Sequence, residues 1–438
     1  MEWYWSLALI LGAFFTLLFV GVPVVFSFFA VNIVGMFLLM GGEAGLEQMV
    51  NSAYGSLTVF VLLPITLFVL MGEVMFRAGV AARMIDALDK WLGNLPGRLS
   101  LLAVASGTVL ASLSGASIGT TAMLGATLAP ELESRGYKKP MSIGPLLGSG
   151  GLAIMIPPSG LGVILAVLAE VSVGKLLIAI ILPGILMAVL YASYIVVRCY
   201  LQPDLAPRYA VDRVPLGLKI VLTVKYVLPL GLIVFLVVGL IFLGIATPTE
   251  AAALGTAGAF VLAACYRGLN WKVTREALES TLRIAVMVLI ILAAAQAYSQ
   301  VLAFTGANRY LVQWAVGLPV APLVLIVMMQ VVILILGGFI SGVPLMLITL
   351  PVFLPVVKQL GYDPIWFLVL FLINIEMAQT TPPYGILLYV MKGVSPPDTT
   401  MGHIIRAAIP FLICDVIAMA LIMGFPDISL ALPGLMIK

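Results

Sequence analysis

The sequence predicts an all-α polytopic membrane protein in which an internal repeat carries, twice, a re-entrant helical hairpin followed by a discontinuous helix. Three observations predict this. Of the 438 residues, 63% are hydrophobic and only 9% charged, whereas a domain that faces water carries roughly 25% charged residues. Most of this surface must therefore face lipid. Apolar stretches near the ~20 residues that a spanning helix needs recur from Trp3 to Phe425, enough for about ten spans plus shorter elements. Finally, Pro130, Gly136, Tyr137, Pro157, Pro158 and Gly160 return as Pro355, Gly361, Tyr362, Pro382, Pro383 and Gly385, each 225 residues later. Six identities in one unbroken register exceed what two proline- and glycine-rich segments share by chance. Upstream the pattern persists in a slightly drifting register, with Trp91 to Pro96 echoed by Trp314 to Pro319 and Ser114-Gly115 by Ser341-Gly342.

The whole chain, 1–438, reads as one integral membrane unit. Residues 1–90 read as scaffold helices. Met1-Glu2-Trp3 carries no basic n-region and no small-residue cleavage site follows, so the first apolar stretch reads as a retained span. With no Lys or Arg before Trp3, that end is expected outside. Basic residues gather beside the spans, in Arg77 to Arg98, Arg135 to Lys139, Arg198 to Lys225 and Arg267 to Arg283. This is the positive-inside pattern; a net charge of +3 gives no nucleic-acid surface.

The first copy of the repeat covers 91–175. Its hairpin, 97–130, has apolar arms from Leu99 to Leu113 and from Ile118 to Pro130. Arms near fifteen residues reach only ~22 Å at 1.5 Å per residue, short of the ~30 Å hydrocarbon layer. The joining residues Ser112 to Ser117 are, apart from Leu113, small, and three of them are serines. Such a tip can lie at membrane depth only when buried in protein or lining a cavity. The broken helix, 141–170, is interrupted at Ser149-Gly150-Gly151 and at Pro157-Pro158-Ser159. Residues 176–310 read as scaffold and connecting helices. Within them Gln202 to Lys219 is a polar loop, and Thr247-Pro248-Thr249-Glu250 reads as a helix start, with Thr247 or Thr249 as the cap. The second copy covers 314–395, with hairpin 322–357, tip Gly337 to Gly342, and broken helix 364–393 interrupted at Gln379-Thr380-Thr381-Pro382-Pro383. A terminal span fills 396–438.

A Pro-Pro pair removes two backbone donors and disfavours helix just before it. The carbonyls so freed need partners, and in lipid a cation or a ligand is a natural one. The resumed half-helix aims its first N–H groups at the gap, which suits an anion. Proline in a membrane helix more often makes only a kink. A kink does not account for the polar company, the pairing with a hairpin tip or the duplication. Interrupted segments at matching positions of two repeats point to the binding site of a secondary transporter.

At these residues the chain resembles the DctM-like large membrane subunit of the tripartite ATP-independent periplasmic (TRAP) transporters. Ser114-Gly115-Ala116-Ser117, Gly150-Gly151, Ile156-Pro157-Pro158-Ser159, Ala246 to Ala252, Gly361-Tyr362-Asp363-Pro364 and Thr381-Pro382-Pro383-Tyr384-Gly385 occur in the family's order, and the resemblance covers essentially the whole chain. It implies an inverted-repeat, elevator-type transporter, similar in fold to the ion transporter superfamily, in which the hairpins and broken helices slide against the scaffold. It implies sodium as coupling ion and no other cofactor or metal. One sodium site would use Ser114, Gly115, Ser117, Gly150, Gly151 and Pro157; the other Gly338, Ser341, Gly342, Thr380, Thr381 and Pro382. Between the tips, Ser114, Ser117, Ser159, Asn374 and Thr381 would contact a small organic anion: a carboxylate such as a C4-dicarboxylate or a sugar acid, or a sulfonate. The implied partners are a small membrane (Q-type) subunit, a periplasmic substrate-binding protein and the bilayer of a bacterial inner (cytoplasmic) membrane; no nucleic acid is implied. The family often has an acidic residue near Ser341 and a second serine in place of Ala116.

Other residues carry weaker signals. Glu73 reads equally as a side chain snorkelling beside Arg77. Glu376, two residues after Asn374, is balanced between function and structure, and Asp415 reads as structurally paired. Glu170 and Lys175 read as loop residues. Trp3, Trp5, Trp91 and Trp314 read as interfacial anchors. The lone His403 and the scattered Cys199, Cys265 and Cys414 offer no metal or catalytic constellation, and there is no G-x-x-x-x-G-K-[ST] motif for ATP. An enzyme is therefore not expected, nor is a simple pore. The remaining alternative is a stand-alone sodium-coupled dicarboxylate or ion transporter that needs no binding protein.

Overall fold

The computed structural model describes residues 3–58, 63–93, 95–115, 117–207 and 214–436, without the side chains of Trp3, Ser6, Ala81, Leu113, Ser114 and Asn308. All regular structure in these residues is helical. Helices α1 (Trp3–Phe19), α2 (Val24–Leu39), α3 (Glu43–Leu57), α4 (Leu63–Arg77) and α5 (Val80–Asp89) precede the first hairpin. That hairpin is α6 (Arg98–Ser114) and α7 (Ser117–Ser134), followed by α8 (Lys139–Ser142), α9 (Gly144–Gly151), a 3-10 turn at Leu152–Ile154 and α10 (Gly160–Leu168). Next come α11 (Val173–Ala179), α12 (Ile181–Leu201), α13 (Leu216–Leu222), α14 (Leu228–Phe242), α15 (Pro248–Cys265), α16 (Trp271–Phe304) and α17 (Ala307–Val316). The second hairpin is α18 (Pro322–Gly337) and α19 (Gly342–Gln359), its broken helix α20 (Pro364–Gln379) and α21 (Ile386–Val394). The chain closes with α22 (Met401–Gly424) and α23 (Asp427–Gly434).

Among the described residues six helices are long and apolar enough to cross a membrane alone, or seven if the bent α4–α5 pair is one span. This is fewer than the ten that apolar length suggests. Several apolar stretches are cut into helices of 10–17 residues by the tips and breaks, so they cross only in combination. The hairpin arms run slightly past their sequence limits: α7 continues through Pro130 to Ser134, and α19 holds both Pro351 and Pro355. A proline inside a helix removes one hydrogen bond, and near the helix end that loss does not stop the helix.

Apolar composition alone does not decide which helix is central. In both α14 and α20 apolar residues run all around the helix, and α20 adds Asn374, Glu376 and Gln379 in its second half. In α14 only four residues are buried, so it lies on the outside of the chain. In α20 every residue from Trp366 to Ala378 is buried. It is enclosed by α18, α19, α22, α9 and α10, which makes the second broken helix the core of the protein. One bundle is formed by α2, α3, α4, α14, α15 and α16. Thr247 caps α15: its hydroxyl accepts from the Glu250 N–H at 3.3 Å, and Glu250 Oε2 accepts from the Thr247 N–H at 2.8 Å. This capping box selects Thr247 over Thr249. In a second group, α12 and α22 pack on each other and on elements of the first repeat. His403 closes another capping box, with Thr400 at the start of α22. Trp5, Trp91 and Trp314 are exposed, as side chains at a lipid boundary are; the side chain of Trp3 lies outside the described residues.

Candidate functional site

Each hairpin tip sits on the break of its own repeat. At the first tip the chain turns at Gly115 with φ +56°, a left-handed conformation that side chains disfavour. A Cβ on Gly115 would fall 2.9 Å from the Pro158 carbonyl oxygen. Glycine is thus needed twice, for the turn and for the close approach to the break. Pro157 and Pro158 are buried and joined by a cis peptide bond. Ser117 opens α7, is 5% exposed, and its hydroxyl has no hydrogen-bond partner. Ser159 is fully buried and caps α10 by accepting from the Gly162 N–H at 3.1 Å. Gly150 and Gly151 lie one step earlier along the broken helix. There they pack against Thr121 of α7 and Glu376 of α20. The side chain of Ser114 and all of Ala116 lie outside the described residues.

The second tip repeats this contact. The Tyr384 N–H, just past the break, donates to the Gly338 carbonyl at 2.8 Å. A Cβ on Gly338 would lie 3.6 Å from the Pro382 carbonyl oxygen. Pro382 and Pro383 are also joined in cis, but are exposed. Thr380 and Thr381 both donate their hydroxyls to the Met377 carbonyl, at 3.1 and 2.7 Å. Their donors are used, so their oxygens keep lone pairs for a cation. The Ser341 side chain does not cap α19, although its carbonyl accepts from the Leu345 N–H at 3.1 Å, and Gly342 rests on Ile375 of α20.

Two adjacent cavities lie between these tips and the long helix α16. One, of about 420 Å³, is bordered by Ser341 and Gly342 of the second tip, Ile291 of α16 and Pro23 to Val25 at the start of α2. The other, of about 340 Å³, is bordered by Gly115 and Ser117 of the first tip, Gly160, and Glu73 and Arg77 of α4. The cavities share Ile118, Leu161, Met287, Val343 and Gln379. Their walls are mostly apolar with few polar groups, the usual make-up of a small-molecule site. The tips thus come together around one cleft. Thr381, Ser159 and Asn374 border neither cavity. Asn374 is turned into the protein, where its amide donates to the Gln330 carbonyl and Oε1 of α18, both at 2.7 Å.

Two contributors to the cleft were not singled out in the sequence as site residues. Gln379, immediately before Thr380-Thr381, borders both cavities; a polar residue ending an apolar helix was its only signal. Arg77 is the only cation bordering either cavity among the described residues. It is bound by Glu73 at 2.8 Å and Glu276 at 3.0 Å, and Glu73 also accepts from Ser280 at 2.8 Å. Glu276 and Ser280 are 199 and 207 residues away from their partners, so no local pattern could announce the network. It leaves Glu73 engaged within the protein rather than reaching alone to the interface.

The family model described as "Tripartite ATP-independent periplasmic transporter, DctM component" matches residues 11–428. The chain is similar to the C4-dicarboxylate TRAP transporter large permease protein DctM of Pseudomonas aeruginosa, 33% identical over 378 residues, 86% of each chain. It is also similar to the sialic acid TRAP transporter large permease protein SiaM of Vibrio cholerae, 28% identical over 96% of each. Among solved structures it shares a fold with the Alcanivorax borkumensis YdaH transporter, at TM-score 0.63, 17% identity and 90% of each chain.

Proposed function

This chain belongs to the DctM component family of tripartite ATP-independent periplasmic transporters, and from that premise we propose that it is the large permease subunit of a sodium-coupled, elevator-type symporter that imports small organic anions. It is a multi-pass protein of the bacterial inner membrane, and its relatives are transporter permeases, not enzymes. TRAP permeases work with a small permease subunit and a periplasmic binding protein. The observation that carries the finer reading is the paired tip-on-break contact, Gly115 on Pro158 and Gly338 on Pro382 and Tyr384, around one cleft.

Sodium at the first tip would take oxygens from Ser114, Gly115, Ser117, Gly150, Gly151 and Pro157. Sodium at the second would take them from Gly338, Ser341, Gly342, Thr380, Thr381 and Pro382. Na⁺ prefers several oxygen ligands, and both regions supply hydroxyls and carbonyls that the helices leave free. Each ion would pin a tip to its break and so shape the wall of the cleft. The anion would lie between the tips, with Ser117 and Gln379 within reach. Ser114, Ser159, Asn374 and Thr381 complete the proposed substrate set; of these Ser159, Asn374 and Thr381 stand behind the cavity walls. The two relatives named above are named for C4-dicarboxylate and sialic acid, both carboxylates, which supports a carboxylate substrate.

The test is uptake into proteoliposomes that hold the chain with its small subunit and are supplied with loaded binding protein. Replacing external sodium by potassium should abolish uptake. Equal uptake in sodium-free buffer would sink the coupling, and uptake by the chain alone would favour a stand-alone transporter.

A further inference from the structure

The basic stretches beside the spans end in two different ways. In Arg135 to Lys139 the cations are closed by carboxylates: Arg135 by Glu131, and Lys139 by Glu133 and Asp398. The other three stretches converge on one outer ridge. It is built by α5, by the π-helical turn Thr223–Val227 that joins α13 to α14, and by the residues that end α15. Helix α5 packs directly on the π turn. Arg83 of α5 donates to the Tyr266 carbonyl at 3.1 Å, and its guanidinium lies 5.8 Å from the centre of the Tyr266 ring. That ring stands 5.7 Å from the ring of Tyr226, and its hydroxyl donates to the Lys225 carbonyl. The Lys225 ammonium lies 5.2 Å from the Tyr226 ring. The Lys219 ammonium lies 5.7 Å from the ring of Trp91, whose indole N–H donates to the Thr223 hydroxyl at 2.7 Å.

These cations have no counter-charge. Among the described residues Arg83, Lys219, Lys225 and the exposed Arg267 form no ion pair. On α5, Asp89 is taken by Arg98 and Lys90, and Asp86 pairs with none of the four. An aromatic ring holds a cation by one side and leaves its other N–H donors facing outward. Neighbouring cations repel, so an anion between them is favoured. Beside Lys219 and Lys225 runs an apolar strip. Leu216, Ile220, Val224 and Leu228, four residues apart along α13, the π turn and the start of α14, are all exposed. Fixed cations at the edge of an apolar strip match a phosphate that carries acyl chains.

We infer that this ridge binds an anionic phospholipid. The headgroup phosphodiester sits among Lys219, Lys225 and Arg83, with Arg267 at its edge, and the acyl chains lie along α13 and the start of α14. Trp91, Tyr226 and Tyr266 set the cations at the interfacial depth where aromatic side chains collect. The positive-inside pattern places the ridge at the inner leaflet, whose anionic lipids attract such clusters. A bound lipid clasps α5 to the start of α14 and the end of α15. The inference stands apart from the transport reading.

The experiment measures binding without transport. The chain, purified with its small subunit in neutral detergent, is unfolded thermally while phosphatidylglycerol, phosphatidylcholine or inorganic phosphate is titrated in. Phosphatidylglycerol should raise the unfolding temperature at lower concentration than phosphatidylcholine. The double variant Lys219→Gln with Lys225→Gln should raise the half-stabilising phosphatidylglycerol concentration at least about tenfold, and Arg83→Gln should raise it less. Arg406→Gln, which removes an exposed charge on α22, should leave it unchanged. Equal effects of the two lipids, or a double variant that behaves as wild type, overturn the inference. So does an equal loss in Arg406→Gln, which would mean attraction to the whole surface. Inorganic phosphate as effective as phosphatidylglycerol would assign the ridge to a free anion and overturn the lipid site. If the double variant does not fold, Arg83→Gln decides alone, and a wild-type profile there overturns the inference.

Discussion

Glu376 and Gly151 share a space that one atom can occupy. With Glu376 Oε1 standing 1.1 Å from where a Cβ would be, Gly151→Ala must displace the carboxylate or α9. Overpacking of this kind costs roughly 1–3 kcal/mol. We expect Gly151→Ala to lower the unfolding temperature of the purified protein, and Glu376→Ala added to it to restore part of the loss; an unchanged temperature in the single variant would show that the space is free. A second residue-scale expectation concerns Lys139. Its ammonium reaches Glu133 at 2.7 Å, Asp398 at 2.9 Å and the Thr399 hydroxyl at 2.7 Å, tying the end of the first hairpin to the loop before α22. Burial lowers the Lys139 pKa, but its hydrogen bonds to Glu133 and Asp398 more than offset this and hold it above 10.5. The hydrogen bond to Lys139 holds the Asp398 carboxyl below 3.8. The raised lysine contributes below its ordinary pKa and is lost as pH rises through the folded value. The depressed acid contributes above its ordinary pKa and is lost as pH falls through the folded value. Hydrogen exchange at residues 396–399, once corrected for intrinsic rates, should thus rise below about pH 4 and above about pH 10, where the two ends of this bridge are lost. Asp398→Asn should remove the acid limb.

At the scale of the element, each tip and its break act as one unit. Gly115 combines φ +56° with a 2.9 Å approach to the Pro158 carbonyl. An alanine there costs roughly 1–2 kcal/mol for the left-handed conformation alone, before the contact is counted. Gly115→Ala should raise the sodium concentration for half-maximal uptake about tenfold or more. Ser117→Ala and Thr381→Ala remove one hydroxyl from each proposed site and should do so more mildly. Uptake kinetics in sodium titrations check all three, and an unchanged sodium dependence for Ser117→Ala and Thr381→Ala together would remove the hydroxyls from the site. The hairpin arms were legible because punctuation interrupts their apolar runs. Their ends were less so: Pro130 suggests a stop, yet α7 runs on to Ser134. Local pattern marks where a proline is, and the packing around it decides whether the helix continues.

At the scale of the whole molecule, an elevator requires the hairpins to slide past α16. Ile118 of the first hairpin and Met287 of α16 border both cavities. In a background without Cys199, Cys265 and Cys414, the pair Ile118→Cys and Met287→Cys should be joined by a short bifunctional crosslinker. Joining them should stop uptake, and cleaving the linker should restore it. Full uptake with crosslinking complete would show that these two surfaces do not move apart during transport.

The sequence by itself determined what is local or periodic. Composition placed the chain in lipid, and the 225-residue register of Pro157-Pro158 with Pro382-Pro383 exposed the duplication. The short arms predicted the hairpins, and Thr247 with Glu250 marked the start of α15. These are readable because helix length, backbone breaks and caps depend on neighbours within a few residues. Only the tertiary structure decided which of two largely apolar helices is central, putting α20 inside and α14 on the outside. It also turned Asn374 toward Gln330, brought Arg77 to Glu276 beside the first tip, and set Glu376 from one repeat on Gly151 from the other. In a chain that is 63% hydrophobic, composition carries little information about which face is buried. That choice is made by shape, where a glycine leaves room for a carboxylate or a helix for its neighbour, and by the need of buried polar groups for partners far away in the chain.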